Sequence, residues 1–349
     1  MSSEAAIAHS GLNPVVEGAR RAALRLAFGV AACFAAVEAL ESDATFLAPL
    51  LAANMLVKLP RPPTLAQGLV VLVLIALSTG TVLAVTIALI ANPTVLILAL
   101  TLLLYLSFYA HRRGAPELPT LLLQISTVAL PTVAVLSPEG AGGFATTLLL
   151  AGCVALITVW VAHAAFPAPA IAATNAAPPS ATGPAEPARA AHLALLDTFV
   201  LVPVLTWYIL DATQVAVVVL IIIVTLLRQH NPKQGQRAAL GLILGNLIGG
   251  IAAAIVYNLV ILNNTLLFFT TVCLAASLIF AGRIVTAGDR APIYAVAFAT
   301  FILLLGLGMT PLPGGTGEAF VDRLFYVLLA SAYAIGGLSL VERWRNNRP

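Results

Sequence analysis

The sequence DATFLAPLLAANMLVK, residues 43–58, is a short apolar segment that begins with an acidic residue and ends with a lysine. A second such segment, DATQVAVVVLIIIVTLLR, occupies residues 211–228. The first has only 14 uncharged residues between its charged ends and the second has 16, whereas about 20 apolar residues normally span a bilayer. Short hydrophobic segments at corresponding positions of two halves of a chain indicate a binding site between those halves.

The composition places the chain in a membrane. Of its 349 residues, 60% are hydrophobic and 9% are charged, and the mean hydropathy is +1.02. A soluble domain of this composition could not cover itself with polar surface, so we expect an all-α polytopic protein whose main partner is the lipid bilayer. The net charge is +3, and the positions of the charged residues indicate the orientation of the chain in the membrane. Nucleic acid is not indicated as a partner.

Prolines, glycines and charges divide the chain into two membrane units and their flanking segments. We expect a cytoplasmic N-terminal segment at 1–21, a first unit at 22–166, a Pro/Ala-rich cytoplasmic linker at 167–191, a second unit at 192–341 and a basic tail at 342–349. The twelve predicted spans are 22–40, 45–59, 65–91, 93–110, 118–137, 143–166, 192–211, 213–227, 236–260, 264–282, 291–310 and 319–341.

The basic residues give the orientation, because cytoplasmic loops of membrane proteins carry an excess of Lys and Arg. With both termini inside, 16 of the 17 Lys and Arg residues fall in inner loops or at inner ends of spans. Only Arg323 lies at an outer end. No cleavable signal peptide is predicted, so the first apolar stretch remains as an anchor.

The two halves match each other in order. Asp-Ala-Thr recurs at an offset of 168, and the Ala-Pro pair before the fifth span recurs before the eleventh. Because each half has an even number of spans, the duplication predicts two parallel six-helix repeats, related by an axis along the membrane normal. Asp and Thr are good helix N-caps, and capping alone accounts for the repeated motif. The candidate caps and repeat markers are Asp43, Thr45, Asp211 and Thr213.

Ionisable side chains inside apolar spans are expensive and are therefore functional candidates. Arg25 at the inner end of the first span would attract an anion, while Glu38 or Asp197 would accept a proton that drives exchange. The alternative is that Arg25 and Glu38 reach the headgroup region from helix ends. Asp197 is too short to reach far.

Polar side chains near the short helices complete the candidate site. A short helix that ends in a vestibule would leave polar groups near the midplane, where they meet a substrate. Asn54 is alternatively an interhelical hydrogen-bond donor, and Gln124 belongs to the polar group of the fifth span. The candidate binding residues are Arg25, Asn54, Lys58, Gln124, Arg228 and Arg237.

The chain carries none of the sequence signatures of catalysis, since it lacks a zinc-protease motif, a nucleophile elbow and a phosphate-binding loop. We therefore expect no enzyme activity and no cofactor. The three cysteines lie far apart in separate apolar runs, so neither a disulfide framework nor a metal site is predicted.

Three stretches resemble the fusaric-acid-resistance-like inner-membrane proteins of the aromatic acid exporter superfamily. They are RAALRLAFG at 21–29, TFLAPLLAA at 45–53, and QRAALGLILG at 236–245 with Gly249. The resemblance covers two six-span halves and almost the entire chain. It implies efflux of aromatic carboxylic acids or related toxic anions, together with a periplasmic membrane-fusion adaptor. Plant malate channels of the same superfamily pair two six-helix subunits around an anion pore.

The sequence thus favours a secondary exporter of small organic anions in a bacterial inner membrane. Two alternatives stay open: a passive anion channel, and a membrane scaffold that holds an adaptor without transporting anything. A channel would conduct without a pH gradient. A scaffold would tolerate substitution of the charged candidates.

Overall fold

The computed structural model describes residues 14–42, 45–167, 186–211, 216–229, 235–263 and 265–309, together with Leu329, Tyr333 and Gly336. Every regular element in these residues is helical. The α-helices are α1 (Pro14–Ala39), α2 (Leu47–Lys58), α3 (Leu65–Leu89), α4 (Pro93–Arg112), α5 (Glu117–Leu136), α6 (Pro138–Ala165), α7 (Pro187–Asp211), α8 (Ala216–Gln229), α9 (Gly235–Leu262), α10 (Leu266–Thr286) and α11 (Ala291–Met309).

Eight of these helices are long and apolar enough to cross a membrane: α1, α3, α4, α6, α7, α9, α10 and α11. The chain is therefore an all-α polytopic membrane protein. The helix α2 has 12 residues and is about 18 Å long at 1.5 Å per residue. The hydrocarbon core of a bilayer is about 30 Å thick, so α2 is shorter than the helix that normally spans it.

Burial separates central helices from helices that face lipid. Nine of the 12 residues of α2 are buried, and α5 is buried along most of its length. In contrast, α3, α4, α9 and α10 expose large apolar side chains, such as Leu69, Leu102, Ile255 and Ile279. An apolar surface of this extent is stable against hydrocarbon rather than water.

Helices of the two halves contact each other in matching pairs. The first helix of one half packs on the fourth helix of the other, as α1 on α10 and α7 on α4. The second packs on the fifth in the same way, as α2 on α11 and α8 on α5. Within each half the third packs on the fifth, as α3 on α5 and α9 on α11. Four of these helix pairs therefore join the two halves: α1/α10, α4/α7, α2/α11 and α5/α8.

Glycines of α9 explain how closely that helix approaches α11. A Cβ atom at Gly245 would lie 2.9 Å from the carbonyl oxygen of Ile293, and one at Gly249 would lie 2.9 Å from Cβ of Thr300. Small residues at such crossings allow close packing in membranes. The neighbouring Asn246 accepts a hydrogen bond of 2.6 Å from Thr300, so a polar contact accompanies the close approach.

Three helices start well before the predicted spans, and one of them is α6, which begins at Pro138 rather than at residue 143. The first helix begins at Pro14 and continues without a break to Ala39, whereas the first span was predicted from residue 22. The helix α7 begins at Pro187, inside the predicted linker at 167–191. Proline is favourable at the first helical position because it has no N–H to satisfy there.

The expected N-cap role of Thr45 is not what the structure shows. The residue before α2 is Phe46, and no side chain caps the helix. The hydroxyl of Thr45 instead donates to the carbonyl oxygen of Gly306 on α11, because α11 lies against the start of α2. Asp211 is the last residue of α7, and its side chain lies outside the described part, as do Asp43 and Thr213.

The twelfth predicted span, 319–341, is described only at Leu329, Tyr333 and Gly336, all helical. The hydroxyl of Tyr333 donates to the carbonyl oxygen of Val200 on α7, 3.0 Å away. The N-terminal segment before Pro14, most of the linker and the basic tail at 342–349 lie outside the described residues.

Candidate functional site

Both short helices end at the same side of the molecule. Consecutive helices joined by loops of a few residues reverse direction, so α2, α4 and α6 all finish at one end of the bundle. The contact between α4 and α8 described below places the end of α8 there too. We call this the basic end of the bundle, and it is marked by Arg25, Lys58, Arg112, His163 and Arg228.

A buried ion pair joins α4 to α7 at the basic end. Nη2 of Arg112 lies 2.7 Å from Oδ2 of Asp197, and Nε lies 3.0 Å from the same oxygen. The two side chains are 11% and 2% exposed. Nη2 also donates to the carbonyl oxygen of Leu227 in the last turn of α8, at 3.1 Å. Cations stabilise helix C-termini, where carbonyl groups lack helical partners.

The end of α4 places Arg112 by a local glycine motif. Gly114 has a φ of 84°, which glycine adopts without strain. The N–H of Gly114 donates to the carbonyl oxygen of His111 at 3.1 Å, and the N–H of Ala115 donates to the carbonyl oxygen of Ala110 at 2.9 Å. These two bonds form the Schellman motif of a helix C-terminus. Arg112 is consequently the last helical residue, and its guanidinium reaches α7 and α8.

Arg228 binds two polar residues of α5. Its Nη1 donates to Oε1 of Gln124 at 2.6 Å and to the hydroxyl of Thr120 at 3.2 Å. A guanidinium can only donate, so the amide of Gln124 must turn its oxygen toward Arg228. The amide nitrogen Nε2 is then buried without a hydrogen-bond partner, and Gln124 is 0% exposed.

A second polar cluster lies where α2 ends. The ring of His163 on α6 places Nε2 3.2 Å from the carbonyl oxygen of Leu59 and Nδ1 2.9 Å from that of Val159. A neutral imidazole has one N–H and donates to one of them. Arg25 lies within electrostatic range of His163. The short helices α2 and α8 thus each end beside a nitrogen-bearing side chain of another helix.

Three of the predicted site residues come together around Arg112. Asp197 forms an ion pair with Arg112. Arg228 directly follows Leu227, whose carbonyl oxygen accepts from Arg112. Gln124 in turn accepts from Arg228. The sequence predicts Arg112 only as one of the 16 basic residues in inner loops or at inner ends of spans. The available signal was the sequence Arg112-Arg113-Gly114, which predicts a helix end with a cation in its last turn.

The other predicted site residues lie elsewhere. Nδ2 of Asn54 donates to the carbonyl oxygen of Leu50 in its own helix, at 2.9 Å. Lys58 is the last residue of α2 and is half-buried. Glu38 lies near the other end of α1, within electrostatic range of Cys273 on α10. Arg237 lies in the first turn of α9, and its side chain is outside the described part.

Comparison with known proteins identifies one similarity. Residues 22–162 match a family described as "Protein of unknown function (DUF2955)". No curated protein and no solved structure matches the chain. The matched residues run from within α1 to near the end of α6. The match therefore lies within α1 to α6.

Proposed function

We propose that this protein is a secondary transporter that exports small organic anions, with aromatic carboxylates as the substrate class. The observation that carries the proposal is the buried amide nitrogen of Gln124, which has hydrogens to donate and no acceptor. It lies beside Arg228. A carboxylate is acceptor-only, so its oxygens would supply the missing partner, and charge-assisted bonds to an arginine are strong.

The location of the donor supports transport rather than static binding. Gln124 and Arg228 lie on α5 and α8, a helix pair that joins the two halves. We further propose twelve spans in two parallel six-helix repeats, which the matching helix pairs of the two halves support. Parallel repeats place a substrate path along their common axis, and movement of one half against the other would expose the site alternately to either side.

The remaining parts of the proposal come from the sequence. The resemblance to fusaric-acid-resistance-like proteins supports aromatic acids as substrates and a periplasmic membrane-fusion adaptor as a partner. The concentration of Lys and Arg residues in the inner loops supports a bacterial inner membrane with both termini cytoplasmic. The same charges would raise the local concentration of an anion at the basic end.

Energy coupling is proposed for the ion pair. A substrate carboxylate that reaches Arg112 would compete with Asp197, and protonation of Asp197 would release Arg112 to the substrate. Glu38, near the other end of α1, would accept the proton on the opposite side. In this scheme Asp197 and Glu38 are the proton-coupling residues, while Gln124 and Arg228 bind the anion.

The proposal is tested by efflux of radiolabelled benzoate from proteoliposomes under an imposed pH gradient. We expect Arg228→Gln to reduce the initial rate at least tenfold, because loss of a charge-assisted bond of about 1.5–3 kcal/mol weakens anion binding by that order. Arg61→Gln is the matched control, since Arg61 is exposed in the loop between α2 and α3, and it should transport at the wild-type rate.

Each alternative has its own result in the same system. A passive channel would give benzoate currents across a planar bilayer at equal pH on both sides. A scaffold would give no wild-type flux above empty liposomes, in which case the transport proposal is wrong. Equal rates for wild type and Arg228→Gln would remove Arg228 from the binding site.

A further inference from the structure

We infer that the first half holds a second anion site at Arg25, separate from Gln124 and Arg228, and that its ligand is a small inorganic monovalent anion of the size of chloride. The site is formed by α1, α2 and α6, whereas the cluster around Arg112 is formed by α4, α5, α7 and α8. The inference does not depend on the proposed substrate.

The first observation is a buried cation with unmet hydrogen-bonding capacity. Arg25 is 5% exposed, and its Nε is a buried nitrogen with no hydrogen-bond partner. Among the residues that the structure describes, no carboxylate forms an ion pair with it. The similarly buried Arg112 has Asp197 as its counter-ion. A buried charge without a partner is strongly destabilising. An anion bound next to Arg25 would remove this cost, and the described residues do not provide one.

The second observation is where Arg25 lies. One turn further along α1, a Cβ atom at Gly29 would contact Leu56 of α2 and Ala162 of α6. Residues four apart share a helix face, so Arg25 lies on the face of α1 that meets these two helices. His163, one residue after Ala162, lies within electrostatic range of Arg25.

The third observation limits the size of the ligand. Leu56 and Ala162, which meet this face of α1, are both buried. A single added carbon at Gly29 would already clash with Leu56. An aromatic ring would have to displace more of this packing than a single-atom anion would. The two sites therefore select different anions.

The test compares chloride with gluconate, a larger anion, at equal ionic strength and follows the Tm of the detergent-solubilised full chain. We expect chloride to raise the wild-type Tm by roughly 3 °C in a saturable way, as a ligand of the folded state does. Arg25→Gln should lose the chloride response. Arg61→Gln, the exposed control, should keep it. Arg228→Gln should keep it as well, whether or not that variant transports benzoate.

A second measurement covers the case in which Arg25→Gln does not fold. The line width of the ³⁵Cl NMR signal should increase with wild-type protein and fall to the free value when bromide competes. Arg25→Lys, which keeps the charge, should retain part of this broadening. The inference is wrong if chloride and gluconate affect the wild-type Tm equally, if bromide displaces nothing, or if folded Arg25→Gln responds to chloride like wild type.

Discussion

At the scale of single residues, the donors of the basic end differ in whether they have hydrogen-bond acceptors. Arg112 has a carboxylate and a helix carbonyl within 3.1 Å, so its charge is neutralised inside the bundle. Gln124 has its oxygen occupied by Arg228 and its nitrogen unoccupied. The difference matters because an unmet buried donor costs about 1–3 kcal/mol. A ligand that removes this penalty is bound more tightly than its own contacts would suggest.

Removal of one member of the Arg112–Asp197 pair should destabilise the protein. We expect Asp197→Ala to lower the free energy of unfolding by about 3–5 kcal/mol, because it leaves a buried guanidinium without its counter-ion. The double variant Arg112→Leu/Asp197→Leu should recover most of that loss. Chemical denaturation in mixed micelles measures both, and additive losses in the double variant would show that the pair is not coupled.

Replacement of Asp197 by asparagine separates coupling from stability. Asparagine keeps an oxygen that can accept from Arg112 but cannot take up or release a proton. Asp197→Asn should therefore still insert into the membrane and lose less stability than Asp197→Ala, while benzoate efflux loses its dependence on the pH gradient. Efflux measured in proteoliposomes with and without the gradient tests this. Unchanged pH-dependent export in the variant would exclude the coupling role of Asp197.

At the scale of helices, α9 and α11 illustrate what the glycines of a membrane helix do. Gly245 and Gly249 lie at a spacing of four and face the backbone of α11. Small residues at this spacing form packing surfaces between membrane helices. Gly80 lies on α3, the third helix of the first half as α9 is of the second, and has no atom within 4 Å of a Cβ position. Similar positions in the two halves thus have different neighbours.

The two glycines should respond differently to the same substitution. Gly249→Ala should destabilise by about 1–3 kcal/mol, because the new methyl group would overlap Thr300 and the backbone of Ala297. Gly80→Ala should be neutral or stabilising by up to about 1 kcal/mol, since alanine favours the helix and nothing is displaced. Thermal unfolding of both variants in the same detergent compares them, and equal Tm values would contradict the packing.

At the scale of the whole molecule, the sequence predicts local features better than contacts. Apolar runs, proline punctuation and charge placement correctly predict an all-α membrane protein, because each depends on nearby residues. The partnership of Arg112 and Asp197 spans 85 positions, and no local pattern encodes it. Thr45 shows the same limit: its sequence context favours a cap, but a helix from the other half supplies an acceptor 261 positions away.

The contact between α11 and the start of α2 brings the backbones of the two halves together, so a change there should affect both the stability of the protein and any movement of one half against the other. A Cβ at Gly306 would lie 2.5 to 2.7 Å from Cβ, Cα and N of Phe46, and backbone atoms cannot move aside as a flexible side chain can. Gly306→Ala should therefore separate α11 from α2 and lower stability by about 1–3 kcal/mol.

Gly282→Ala on α10 is the matched control, because nothing lies within 4 Å of its Cβ position. If transport requires the halves to move as units about α2/α11 and α5/α8, Gly306→Ala should also lower benzoate efflux more than its loss of folded protein explains. Efflux normalised to folded protein measures this. A normalised rate equal to that of Gly282→Ala would mean that the α2/α11 contact only holds the halves together, and the movement must then be sought at α5/α8, where Gln124 and Arg228 meet.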